Sequence, residues 1–375
     1  MITSLLHDDM KSFQDLAHNF ASKELAHRRE ESDRYPFGLF DDTVLAKAHE
    51  LGFLGITLPE DMGGIGQGVR ALCVILECIC RTDASLAAII FTNTLAQEIL
   101  LKAGAVDLLR QVTVSNNPKD ILISFPSYSN PEEHKNLPFA TKGDMGYSLS
   151  GSIDYVVLAP IASQALIPAR ITGQDGYSLF LVDLRSPKVK KGESLFSLGV
   201  HACPVADITL NGAEARLVGQ EGKGPAFFEE TANMMYVAAA AVSLGIMKGS
   251  FDYALTYSNE REQGGWPIIN WSEMKMILAD MAIQMNIAEM AVSEACNAIE
   301  KKVAGWDVCA KTTALHVQNV ACLVTTDGIQ ILGGYGYMKD YGQEKRFRDA
   351  AQNKALLGMA PLRKMDLIDQ INSMR

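Results

Sequence analysis

A chain of 375 residues, 48% apolar and 21% charged with a mean hydropathy of +0.05, is long enough for roughly 2.5 domains, and its composition excludes disorder, collagen and coiled coil. Lys plus Arg number 34 against 44 Asp plus Glu, a net charge of −10, and no basic run exceeds Lys190–Lys191. Nucleic acid and anionic membrane surfaces are therefore not expected partners.

The seven cysteines, at 73, 78, 80, 203, 296, 309 and 322, form no CxxC pair and leave an odd number. That points away from a disulfide framework or zinc site and towards a reducing, cytoplasmic setting. The opening MITSLLHDDMKSF carries the acidic pair Asp8-Asp9 where a signal peptide needs its apolar core, so none is read.

From Asp8 to about Gly104 the apolar spacing is helical. Asp41-Asp42 start a helix whose apolar face is Val44, Leu45, Ala48 and Leu51, and Gly52 stops it. Further helices are predicted over Val69–Arg81 and Ser85–Lys102. Gly63-Gly64-Ile65-Gly66-Gln67-Gly68 follows Pro59-Glu60 rather than a strand, so it reads as a flexible connection and not a nucleotide fingerprint. From about Asp120 to Gly219 the pattern changes to short β-type runs such as Tyr155-Val-Val-Leu and Tyr177-Ser-Leu-Phe-Leu-Val, punctuated by Asp175-Gly176 and Asn211-Gly212. Helices return over Pro225–Asn259, Ser272–Ala304, Trp306–Leu332, Glu344–Leu357 and Pro361–Ser373.

The uncharged stretch Thr231–Met247 approaches the length of a membrane span, but its Asn233, Ser243, Gly245 and alanines suit a buried core helix. The expected class is α+β, in three parts: an N-terminal helical domain (1–118), a middle, mostly antiparallel β-domain (119–224) and a C-terminal helical bundle (225–375). Helices, then strands, then helices do not alternate as βαβ, which disfavours a doubly wound nucleotide fold.

No GxSxG, HExxH or GxxxxGK[ST] occurs, and the seven histidines lack ligand spacing, so neither hydrolytic chemistry nor a metal is expected. The informative stretch is Gln330-Ile-Leu-Gly333-Gly334-Tyr-Gly336-Tyr337-Met-Lys-Asp340-Tyr-Gly-Gln-Glu344-Lys345-Arg346-Phe347-Arg348-Asp349. Adjacent glycines at a helix end let backbone N–H groups approach an anion, although a plain Gly-rich turn fits the same residues.

This segment resembles the C-terminal signature of the acyl-CoA dehydrogenase flavoproteins. Leu51-Gly-Phe-Leu-Gly-Ile56 with Pro59-Glu-Asp-Met-Gly-Gly-Ile-Gly66, Leu149-Ser-Gly-Ser-Ile-Asp-Tyr-Val-Val157 and Leu278-Ala-Asp-Met281 resemble further landmarks of that family, in the same order. The resemblance implies FAD shared between subunits of a tetramer built as a dimer of dimers, an acyl-CoA substrate and an electron-transfer flavoprotein as acceptor. By the same resemblance Arg261 and Gln263 reach the diphosphate and adenosine of a neighbouring subunit's flavin, and Gln330, Gly333 and Gly334 contribute from another subunit. A guanidinium suits a diphosphate because it donates in a fixed fork. Ser124 stands at the flavin's pyrimidine edge, where the family has a threonine, and Ile123 is a further cofactor-binding position. Tyr155 replaces the tryptophan that packs on the ring, and Val157 replaces a threonine and has no donor to offer.

The resemblance fails where the chemistry needs a base. The family's Glu-Gly-Thr triplet aligns with Leu357-Gly358-Met359, and a second base position followed by an arginine aligns with Met235-Tyr236, so the catalytic residue is unassigned. Glu229 and Glu230 lie on the same predicted helix, but at about 100° per residue Glu230 is some 140° around from Met235. The Thr-Glu-Pro-x-Ala-Gly-Ser-Asp loop reads Ser124-Phe-Pro-Ser-Tyr-Ser-Asn-Pro131 without its acids, the Arg-x-x-Phe-Gly phenylalanine is Gly264, and Ser272 replaces a glutamine. Phe91, Thr92 and Asn93 read equally as cavity lining or core. The expected function is an FAD-dependent oxidoreductase acting on the Cα–Cβ bond of an acyl-CoA. The alternative is a catalytically silent subunit paired with an active paralogue, and a third reading is non-redox lyase chemistry on the same fold.

Overall fold

The computed structural model describes residues 10–115, 117–144 and 146–374; the acidic pair Asp8-Asp9 lies outside them. The first helices are α1 (Lys11–Phe20), prolonged by a π turn over Ala21–Leu25, α2 (Asp42–Glu50), α3 (Val69–Cys80), α4 (Ala84–Lys102), α5 (Val106–Thr113) and the single turn α6 (Pro118–Ile121). α2 forms as its sequence predicts. The Asp41 carboxylate accepts the N–H groups of Thr43 and Val44, the buried face is Val44, Leu45 and Ala48, and Gly52 breaks the helix at φ +76°. Asp83 caps α4, whose residues from Ala84 to Leu100 are all buried. α5 has no counterpart in the sequence reading.

The glycine-rich connection, expected to be flexible, is tied by backbone hydrogen bonds. Gly64, Gly66 and Gln67 donate backbone hydrogen bonds to Pro59, Leu58 and Ile56, and a side chain on Gly64 would run into the Leu58 carbonyl.

The β-region comprises β1 (Ile123–Ser124), β2 (Phe139–Gly143), β3 (Gly146–Val157), β4 (Gln164–Ile171), β5 (Ser178–Asp183), β6 (Val189–Ser194) and β7 (Val205–Val218). Its order β1-β4-β2-β3-β7-β5, with β4 also paired to β5, curls the sheet on itself, and β6 extends it beside β7. β1 and β2 join β4 in parallel; the other pairings are antiparallel.

The bundle begins with α7 (Gly224–Glu260), followed by the hairpin β8 (Glu262–Gln263) and β9 (Trp266–Pro267), α8 (Ser272–Glu300), α9 (Trp306–Leu332), α10 (Gln343–Asn353) and α11 (Ala360–Ser373). α4 and α7 are long and apolar enough to cross a membrane by length and composition, yet both are mostly packed inside the fold. Residues 237–242 have no exposed surface, which places the uncharged stretch in a core helix.

α10 stops at Asn353, four residues before the predicted Leu357. Leu357 takes a left-handed φ of +66° and gives its N–H to the Ser127 carbonyl of the β-region, which turns the chain out of the helix.

Candidate functional site

The ends of α7 and α9, the β8–β9 hairpin and the start of α8 enclose a cleft of about 630 Å³ lined by Arg261, Gln263, Gln330, Gly333 and Gly334. All five predicted phosphate-side residues meet there on one chain. Within one chain α7 and α9 lie side by side and deliver both sets to this one cleft, whereas the resemblance assigns them to different subunits.

Arg261 ends α7, donates its own N–H to the Tyr257 carbonyl at 2.8 Å and holds its guanidinium 5.7 Å from the Tyr335 ring centre. Among the described residues it forms no ion pair. A Cβ added to Gly333 or Gly334 would meet nothing within 4 Å, so no neighbouring atom crowds those two positions. Gly336 differs, because a side chain there would collide with the Ile329 backbone. Trp271 was not singled out from sequence. Its Cζ2 lies 3.0 Å from where a Cβ of Gly264 would be, so an indole fills space beside the glycine that stands for an aromatic. A tryptophan seven residues after a missing phenylalanine was the available signal.

The ring-side residues form a second group. Asn93 Oδ1 accepts the Ile123 N–H at 2.9 Å while its Nδ2 donates to the Leu54 carbonyl, which makes Asn93 a structural tie. Ser124 is fully buried, and its Oγ has no hydrogen-bond partner among the described residues. Val157 exchanges backbone hydrogen bonds with Phe125 at 3.1 and 3.3 Å and is itself buried. Tyr155 is 58% exposed at φ +58°, with its N–H held by Asp207 Oδ1 at 2.9 Å. An aromatic face is thus presented outward on a fixed backbone.

These two groups do not meet within one chain. Phe125, next to Ser124, stacks on Phe228 near the start of α7 at 6.0 Å, and Arg261 caps the other end. The 33 residue steps between Phe228 and Arg261 span about 50 Å at helical rise.

The base corner holds no carboxylate at either family position. Leu357 and Met235 are buried, and Thr92 Oγ1 and Ser127 Oγ share a buried hydrogen bond of 2.7 Å beside the Leu357 backbone. Glu229 and Glu230 are exposed, and Glu230 pairs with Lys102 at 3.0 Å. Tyr236, in place of the family arginine, has the buried Lys311 and Arg363 each 5.7 Å from its ring centre, and burial pushes its phenol up to about 12 although Arg363 pulls the other way.

Two acids, Glu132 and Glu133, follow the substrate loop just downstream. Glu133 accepts the Met359 N–H at 3.1 Å, and its Oε1 stands 2.6 Å from where a Cβ of Gly358 would project. Burial raises its pKa, against the lowering effect of its backbone hydrogen bonds. The acidic pair Glu132-Glu133 after Pro131 was the signal for it.

Residues 7–111 match the family model for the acyl-CoA dehydrogenase N-terminal domain, and residues 222–368 match that for the acyl-CoA dehydrogenase C-terminal domain. The chain belongs to the acyl-CoA dehydrogenase family. It is 28% identical to the caffeyl-CoA reductase–Etf complex subunit CarC of Acetobacterium woodii, over 90% of this chain and 92% of that one. It is 25% identical to the cyclohex-1-ene-1-carbonyl-CoA dehydrogenase of Syntrophus aciditrophicus, over 96% and 89%. The butyryl-CoA dehydrogenase structure from Megasphaera elsdenii superposes with a TM-score of 0.89 at 25% identity, covering 99% of this chain and all of that one.

The α+β fold and family membership expected from sequence hold, and with them an oxidoreductase of the acyl-CoA type with FAD as cofactor. The residues present fit that group. The unpartnered Ser124 hydroxyl offers a hydrogen bond, Tyr155 an aromatic face, and Arg261 with Gly333 and Gly334 an uncrowded anion cradle.

Proposed function

We propose that the protein oxidises the Cα–Cβ bond of an acyl-CoA thioester, with Glu133 as the base. FAD supplies the hydride acceptor. Abstraction of the α-proton needs a carboxylate near the reacting carbon, with a pKa raised towards neutrality. Glu133 is the half-buried carboxylate that the fold seats on the Leu357-Gly358-Met359 backbone, and that contact carries the reading. The α-proton passes to Glu133 as the β-hydrogen leaves with its electron pair, so a double bond forms and the proton, hydride and electrons balance. Because Phe228, which stacks on the neighbour of Ser124, and Arg261 lie about 50 Å apart along α7, we infer that one flavin draws its ring contacts and its diphosphate contacts from two chains of an oligomer. An electron-transfer flavoprotein is the proposed acceptor, a reading supported by the relative described as a subunit of a reductase–Etf complex.

The second reading is a silent subunit that lends its Arg261 cleft to an active paralogue. The buried leucine at the base position favours it. Anaerobic mixing of the purified flavoprotein with a panel of acyl-CoAs, followed in the visible spectrum, decides between them. Bleaching by one of them that slows at least 100-fold in Glu133→Gln fits the loss of a general base. No bleaching by any acyl-CoA leaves the silent subunit, and equal bleaching in Glu133→Gln removes Glu133 from the chemistry. Leu357→Glu is expected to add only a modest gain, since Val157 and Tyr236 remain as they are.

A further inference from the structure

The start of α10 carries two guanidinium groups without an acidic partner among the described residues. Arg346 is only 8% exposed. Its Nη1 donates at 3.4 Å to the Gly342 carbonyl and at 3.3 Å to Gln343 Oε1, while its buried Nε finds no acceptor. Arg29 approaches from the segment after α1. A Cβ on Gly342 would stand 2.7 Å from Arg29 Nη2 and 3.1 Å from its Cζ, so this second guanidinium lies on the residue that precedes α10. The Arg29 Nε is also buried without an acceptor, and among the described residues neither arginine forms an ion pair.

The acids that act on Arg346 from a distance are engaged elsewhere. Asp349 holds Lys345 at 2.7 Å and the Val200 N–H at 2.7 Å, and Asp252 is paired with Arg81. The Tyr253 ring, 5.6 Å from the Arg346 guanidinium, covers one side. α10 is 11 residues long and has no side-chain cap at Gly342, so its first N–H groups add partial positive charge. Burial first, and then the charge of Arg29, disfavour the charged form of Arg346. A guanidinium nonetheless keeps its proton in a protein, so the burden falls on stability.

Both guanidinium groups thus lie at Gly342, the residue before α10, and forked donors beside a helix N-terminus are the chemistry that receives a tetrahedral oxyanion. We propose that Arg29, Arg346 and the N-terminus of α10 form a binding site for a small phosphate-type oxyanion, separate from the Arg261 cleft. Arg29 also lines an open cleft of about 520 Å³, together with Arg28, Glu31, Asp41 and Asp83, so the Arg29 side of the site borders solvent. Asp41 is paired there with Arg28, and Asp83 with Lys345.

The test is thermal unfolding of the flavin-loaded protein in sodium phosphate and in sodium chloride of matched ionic strength, with phosphate binding followed by calorimetry. Wild type should bind one phosphate per chain and melt about 3 °C higher in phosphate. Arg346→Met should melt in chloride at the wild-type temperature or above it, and lose the phosphate increment. Arg29→Gln, at a partly exposed position, should lose most of the increment and serves if Arg346→Met does not fold. An unchanged increment in either variant, or a fall of several degrees for Arg346→Met in chloride, overturns the site. The latter would mean that the protein itself already satisfies the guanidinium.

Discussion

Glu98 sits on α4, 8% exposed, and burial raises its pKa against the opposing hydroxyl of Thr57 and charge of Lys102. A carboxyl whose pKa rises on folding contributes stability below its unfolded pKa, 4.5 here, and that contribution is lost as pH climbs through the folded value. Glu98→Gln is therefore expected to raise the melting temperature at pH 7 and to leave it unchanged near pH 4, as read by calorimetry at the two pH values. Ser124 makes the complementary point. A buried hydroxyl without a partner is a cost in the chain alone, and the fold keeps it where the flavin edge is expected.

At the scale of elements, α3 and α7 approach closely because Gly245 and Gly249 lack side chains. A Cβ on Gly245 would stand 2.6 Å from Cys80 Cβ and run into the Glu77 carbonyl. Gly245→Ala should cost about 2 kcal/mol in urea unfolding, since an added methyl between packed backbones forces the helices apart. Helix and strand regions were legible in the sequence because capping and periodicity are local. Asp41, Gly52 and the apolar face of α2 show it. The end of α10 was not legible, because the Ser127 carbonyl that takes the Leu357 N–H is 230 residues away in the chain. The residues of the phosphate-side cleft were legible one by one, yet their meeting within one chain was not, since the pairing of α7 with α9 is a tertiary fact. Glu133 escaped for the same reason: its partner, Met359, is 226 positions on.

Across the whole molecule, the closing Arg348-Asp349 of the signature joins three regions. Asp33 from the N-terminal segment accepts from Arg348 and, at 2.6 Å, pairs with His201 of the β-region, while Asp349 takes the Val200 N–H. Burial would lift the Asp33 pKa, but His201 and Arg348 overcome it and hold the carboxyl well below the usual range. A depressed carboxyl contributes stability above its unfolded pKa of 3.8, lost as pH falls through the folded value. Asp33→Asn should cost about 3 kcal/mol at neutral pH, and the gap to wild type should narrow in acid. The length of α7 has a different outcome. With one flavin shared between chains as proposed, a helix about 50 Å long would make cofactor retention depend on how often chains meet, and holding the yellow colour would become a matter of protein concentration as much as of affinity.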